Sequence, residues 1–149
     1  MFKMNRILVP VDFSACSRGA LEYSANLAQQ FGATLHVLHV WEPPRYIIPE
    51  VLVQVPGEPS QTLADFARSE AGKEMEKFLI DLQSDAFEVK GRLESGDPTD
   101  TILRLAADDD YHLIVMGTHG RTGLSHLFLG SVAEKVVRRA ACPVLTIRS

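Results

Sequence analysis

The stretch HLIVMGTHGRTGLSHLFLGSVAEKVVRRAACPVLTI, His112 to Ile147, spells out one complete structural unit. HLIVMG (112–117) is a strand-like apolar run. The loop after it carries glycines at 117, 120, 123 and 130, interspersed with hydroxyl residues at 118, 122, 125 and 131. SVAEKVVRRAA (131–141) then reads as a helix, with Val132, Val136 and Val137 facing inward. Arg138 and Arg139 fall late in it, where cations suit the helix dipole. PVLTI (143–147) closes the chain as a strand.

The same alternation extends back to the N-terminus. NRILVPVD (5–12) is too short for a helix and too uniformly apolar for a half-exposed strand, so it predicts a buried parallel strand. In SRGALEYSANLAQQFGA (17–33), Leu21, Ala25, Ala28 and Phe31 recur at helical spacing, and Gly32 supplies a stop. TLHVLHV (34–40) is the next strand. Residues 41–60 hold five of the eight prolines, which predicts an irregular excursion or lid. Helical spacing resumes from Gln61 through Leu63, Phe66, Ala67, Met75, Phe78, Leu79 and Leu82. FEVKGRL (87–93) alternates as a strand does. ESGDPTD (94–100) is a turn into a helix, with Asp97 as N-cap and Pro98 at the first helical position. Ile102, Leu103, Leu105 and Ala106 give that helix its buried side.

Strands alternating with helices imply an α/β fold, a parallel sheet with helices on both faces. Three strands running outward one way and a fourth starting on the other side give the order 3-2-1-4-5. The 149 residues, 46% of them hydrophobic, suit a single domain over 1–149 with a real core. No apolar run approaches the ~20 residues that span a bilayer. The start, MFKMNRILVPVDF, lacks a signal-peptide cleavage site, so a cytoplasmic protein is expected. The net charge of −4 argues against a nucleic-acid partner, which would need basic excess. Cys16 and Cys142 form neither a disulfide framework nor a metal knuckle, and read as small buried residues. His36 and His39 have no ligand-spaced partner, and His119 and His126 fit no zinc pattern. The run AADDDYH (106–112) reads as a solvated helix end.

An open parallel sheet binds ligands beyond the carboxyl ends of its strands, where the strand order reverses. Here those ends are Pro10, Val11 and Asp12 on one side and Met116 to Gly120 on the other. Gly117 and Gly120 allow successive N–H groups to converge on an anion. Gly130 and Ser131 open a helix, whose N-terminus offers unpaired donors and partial positive charge to a phosphate. Ser131 can cap that helix or donate its hydroxyl to the phosphate, and His119 and Arg121 add reach. Neither a P-loop nor a G-x-G-x-x-G fingerprint is present.

Gly117-Thr-His-Gly120, nine residues, then Gly130-Ser131 matches the G-x2-G-x9-G-[ST] pattern of ATP-binding universal stress proteins. ILVPVDFS, LHV, SGDP and the whole block from Leu113 to Ile147 also resemble that family, over essentially the entire chain. The resemblance implies a Rossmann-like, adenine nucleotide alpha hydrolase-like three-layer sandwich, usually a homodimer, that binds ATP. It would place adenine near Pro10, Val11, Asp12, Val40 and Met116. Ribose and phosphates would meet Gly117, His119, Gly120, Gly130, Ser131 and Val132, with Arg121 an addition from a variable part of the loop. Asp12 has two readings: a cap for the following helix beside Ser14, or a nucleotide-site carboxylate acting with magnesium or manganese, which would offset its repulsion of phosphate. The expected homodimer pairs the C-terminal edge strand, Val144 to Ile147, across a twofold axis. The function implied is a nucleotide-dependent stress-response sensor or switch. The rivals are a slow ATPase or other nucleotide-processing enzyme, for which the Walker lysine is missing, and a nucleotide-independent dimeric adaptor.

Overall fold

A computed structural model describes residues 3–43, 48–82, 84–119 and 129–148. Its centre is a five-stranded parallel sheet built from β1 (Arg6–Pro10), β2 (Thr34–Trp41), β5 (Val89–Ser95), β6 (Leu113–Gly117) and β7 (Val144–Ile147). The spatial order is β5-β2-β1-β6-β7, which is 3-2-1-4-5 when only these five are counted. Four helices connect them: α1 (Ala15–Phe31), α2 (Leu63–Leu79), α3 (Pro98–Asp108) and α4 (Ser131–Arg139).

The uniformly apolar strands are explained by two cores. Side chains alternate across a strand, so Ile7, Val9, Leu35, Val37 and Val115 pack towards α1 and α2. Leu8, Leu38, Ile114 and Met116 point the other way, against Ile102 and Leu105 of α3 and Ala133 and Val136 of α4. Leu8, Leu38, Leu105 and Ile114 are essentially fully buried, each worth about 1.5–3 kcal/mol relative to exposure.

Local chemistry sets the helix ends. The Ser14 hydroxyl accepts the Ser17 N–H to start α1, and Gly32, at φ 64°, ends it in the left-handed conformation that glycine adopts without strain. Thr62 caps α2 by accepting the Asp65 N–H, and Asp97 caps α3 by accepting the Asp100 N–H with Pro98 at the first position. Phe31 and Val137, read as inward-facing, are 54% and 46% exposed. Phe31 is the last residue of α1, and Val137 sits beside the buried Val136 but turned away from the face that Ala133 and Val136 bury. The proline-rich segment is not wholly irregular: Leu52–Val53 (β3) pairs antiparallel with Gln61–Thr62 (β4), which delays the start of α2 to Leu63. No helix among the described residues is long and apolar enough to cross a membrane.

At the amino end of the sheet, His36 meets the Tyr111 ring edge-on at 5.1 Å, and the Arg6 guanidinium lies 4.8 Å from the same ring's centre. Burial, reinforced by the positive charges of Arg6 and Lys90, holds the His36 pKa below its ordinary 6.5, against the smaller opposing pull of Glu88 and Asp109. The folded protein therefore resists protonating His36 more than the unfolded chain does. The stability this contributes is complete above 6.5 and is lost as pH falls through the lowered folded value. His36→Gln should flatten the acid side of the stability curve. The check is the urea midpoint at pH 7.5 and pH 5, where an equal drop in both proteins would contradict this account.

Candidate functional site

The strand order reverses between β1 and β6, and there the two strands part. Their register pairs Ile7 with Leu113 and Leu8 with Ile114 and goes no further. Beyond this point a cavity of about 490 Å³ opens at the carboxyl edge, within the range of small-molecule sites. Its floor is the α3/α4 face of the sheet: Leu38 and Val40 on one side, Met116 on the other. Ile102 of α3 and Val132 and Ala133 of α4 form the flanking walls.

The β1 end enters through a tight turn. The Asp12 carboxylate accepts the Ser14 N–H at 3.0 Å, so it braces the start of α1 while still lining the cavity. Phe13, next in the chain, has φ 64°, a sparsely populated conformation for a bulky residue. Its ring stacks on His39 at 4.3 Å and meets Phe78 edge-on at 5.3 Å. His39 in turn donates Nδ1–H to the Val11 carbonyl at 2.9 Å, since that oxygen can only accept.

That bond bears on Val40. Even-numbered β2 residues hydrogen-bond towards β1: Thr34 N–H donates to Asn5, and the Leu38 carbonyl accepts the Val11 N–H. Odd-numbered ones turn towards β5, as Leu35 N–H donates to Glu88. Val40 thus turns its N–H and C=O to the β1 side, where β1 has already ended. Among the described residues the ladder does not continue to it. One donor and one acceptor therefore face the space beside the cavity floor.

The β6 end is pinned to its surroundings. Thr118 N–H donates to the Ile147 carbonyl at 3.0 Å, and the Thr118 carbonyl accepts the Gly130 N–H at 2.6 Å. The Thr118 hydroxyl and His119 Nδ1 lie 2.8 Å apart. A Cβ on Gly117 would fall 2.7 Å from Cys16 Sγ and 3.1 Å from the Cys16 carbonyl carbon, so the first turn of α1 packs directly on this glycine. Gly130 is the N-cap of α4 and makes no side-chain capping bond. Ser131 is the first helical residue, not the cap, because the chain turns into the helix one residue earlier than a serine cap would need. The amides of Ser131, Val132 and Ala133, in the first turn, have no intrahelical acceptor and can serve an anion.

Ten of the twelve residues singled out from the sequence line the cavity: Pro10, Val11, Asp12, Val40, Met116, Gly117, His119, Gly130, Ser131 and Val132. Gly120 and Arg121 lie outside the described residues. Sequence reasoning missed the contribution of α3, whose first turn brings Asp97, Pro98 and Thr99 to the wall, and it missed Glu42 and Lys135 at the rim. A signal for the first did exist. The SGDP turn follows a parallel strand, so it had to emerge at the same edge of the sheet as the other strand–helix loops. Of the cysteines, Cys16 is buried and Cys142 only half-buried, with burial pushing the Cys142 thiol pKa up. Among the described residues no group of three His, Cys, Asp or Glu side chains is placed to hold a metal by itself.

A doubly wound parallel sheet with a ligand-sized crevice at its switch point defines a Rossmann-like α/β protein. The chain belongs to the universal stress protein family, whose model matches residues 3–148. Universal stress protein YxiE of Bacillus subtilis is 34% identical over 97% of this chain and 99% of its own length. Universal stress protein MJ0577 of Methanocaldococcus jannaschii is 32% identical over 96% of this chain and 94% of its own. The solved structure of MJ0577 aligns with a TM-score of 0.78 at 26% identity, covering 98% of this chain and 96% of that one. A universal stress protein from Archaeoglobus fulgidus, solved in complex with dAMP, shares the fold at a TM-score of 0.64 and 24% identity, with 99% of each chain covered.

Proposed function

We propose that the crevice binds an adenine nucleotide, ATP in particular, and that the protein acts as a nucleotide-dependent sensor or switch in a stress response. The observation that carries this reading is the division of the cavity into two chemically distinct ends. One end is apolar, between Leu38, Val40, Ile102 and Met116, with the Val40 N–H and C=O beside it. A purine presents two apolar faces and an edge that alternates donors and acceptors, which this end matches. The other end is the first turn of α4, where free amides and the helix dipole favour phosphate. The dAMP complex of the Archaeoglobus fulgidus protein, on the same fold, agrees with this assignment of ligand class.

Pro10, Val11, Asp12, Val40 and Met116 then surround the base, while Gly117, His119, Gly130, Ser131 and Val132 face the ribose and phosphates, with Gly120 and Arg121 between Gly117 and Gly130 in the sequence. Of the three carboxylates that line the cavity among the described residues, Asp12, Glu42 and Asp97, the Asp12 group fits a magnesium or manganese ion that arrives with the triphosphate, because such ions take one or two carboxylates plus phosphate oxygens. Binding is favoured over hydrolysis by what the two candidate catalytic groups already do. Asp12 braces the α1 turn and His119 is engaged with Thr118. The edge position of β7 and its half-buried Val144–Ile147 support pairing of two copies through that strand.

Titration calorimetry with ATP, with and without Mg²⁺, should return a dissociation constant well below 1 mM. Light scattering on the same samples should give twice the chain mass. Absence of heat at about 1 mM ATP would overturn the nucleotide reading, and a monomer mass the dimer.

A further inference from the structure

Thr99 sits in the first turn of α3, on the cavity wall and 5% exposed. Among the described residues its hydroxyl makes no hydrogen bond, while the helix cap beside it is complete: Asp97 accepts the Asp100 N–H, and the Thr101 N–H donates to the Asp97 carbonyl. Unlike the sealed and unpaired Tyr111 Oη and His112 Nδ1, the Thr99 oxygen keeps some surface, on a residue that lines the cavity. Nothing about α3 itself calls for a hydroxyl here. The helix is already capped by Asp97, and a threonine is a poorer helix former than the alanine that would fill this position.

Its place in the cavity says what it would meet. Thr99 and Ile102 are three apart on α3 and so share a face. Both line the cavity, and Ile102 belongs to the apolar cluster with Leu38 and Met116, against which Val40 also packs. The Thr99 N–H, at the second position of the helix, is one of the amides left without an intrahelical acceptor. The residue therefore offers a hydroxyl that can donate or accept, beside a main-chain donor, to whatever occupies the apolar slot. We infer that Thr99 is a specificity-determining residue that reads a heteroatom on the edge of the purine, a second point of base recognition beyond the main chain of Val40. The inference rests on the nucleotide reading given above.

The experiment uses the full chain and six calorimetric titrations per protein. Thr99→Val removes the hydroxyl at constant shape, and Thr99→Ser restores it. ATP should bind Thr99→Val about tenfold more weakly than the parent, the cost of leaving one hydrogen bond unmade, and Thr99→Ser within about threefold. The penalty should vanish for one ligand among 1-deaza-, 3- or 7-deaza-ATP and the 6-unsubstituted purine riboside triphosphate, which identifies the heteroatom. Inorganic tripolyphosphate, which has no base, should bind both proteins alike. Equal ATP affinity of the parent and Thr99→Val overturns the inference and leaves the nucleotide reading standing. So does a loss that is the same for ATP, all analogues and tripolyphosphate, since that reports altered packing. A parent protein that binds none of these ligands overturns both.

Discussion

Gly117→Val should lower stability by about 3 kcal/mol, the upper part of the range for forcing atoms into a packed core. The first atom added already collides: the Cβ lands 2.7 Å from Cys16 Sγ, 3.1 Å from the Cys16 carbonyl carbon and 3.2 Å from its oxygen. The sulfur can swing aside, but the main-chain atoms belong to α1 and cannot move without the helix. Thermal unfolding followed by circular dichroism should show a melting temperature lower by roughly 10 °C for a chain of this size. Gly117→Ala should show the same loss in smaller measure. Adding Cys16→Ala to Gly117→Ala should recover only the part owed to the sulfur. A Gly117→Val protein that melts with the parent would mean that α1 does not pack on β6 as described.

Ser131→Glu should separate stability from binding. A carboxylate at the first position of α4 lies at the positive end of the helix dipole, worth about 0.3–1 kcal/mol of stabilisation. It also puts a negative charge where the triphosphate is assigned. At about 4 Å, two like charges near a protein surface repel by on the order of 4 kcal/mol. The expected outcome is an unchanged or slightly raised melting temperature with ATP affinity down a hundredfold or more. Ser131→Ala, which leaves the amides in place, should cost only a few-fold. If Ser131→Glu bound ATP normally, the phosphates would not be at α4.

Much of this was legible in the residues. The buried parallel strands announce themselves through apolar runs such as ILVP and LIVM, because both faces are covered and no alternation is needed. The Asp97-Pro98 helix start could be read from capping chemistry alone. Gly117 was legible as important, though for half of the reason. Sequence suggested an anion-binding backbone, while the structure adds the close approach of Cys16, a contact 101 positions away that no local pattern encodes. Thr99 and Lys135 were invisible as site residues because each sits in a helix whose local pattern is explained without a ligand, and Glu42 because it falls in the proline-rich stretch after β2, whose sequence fixes no contact. The exposure of Phe31 and Val137 was likewise hidden: periodicity gives the general direction of a helix face but not how wide or how long the covered stripe is.

Phe13 ties the crevice to a distant surface. A bulky side chain in a left-handed backbone costs on the order of 1–2 kcal/mol, and here the ring is clasped by His39 on one side and Phe78 on the other. Phe78 belongs to α2, which is also tethered to α1 by Arg18, whose guanidinium covers the Phe78 ring at 4.0 Å and donates to its carbonyl. The turn that presents Asp12 is therefore sprung and latched from behind the sheet. The strained residue beside Asp12 is thus braced from the α2 side of the sheet, through the rings of Phe13 and Phe78.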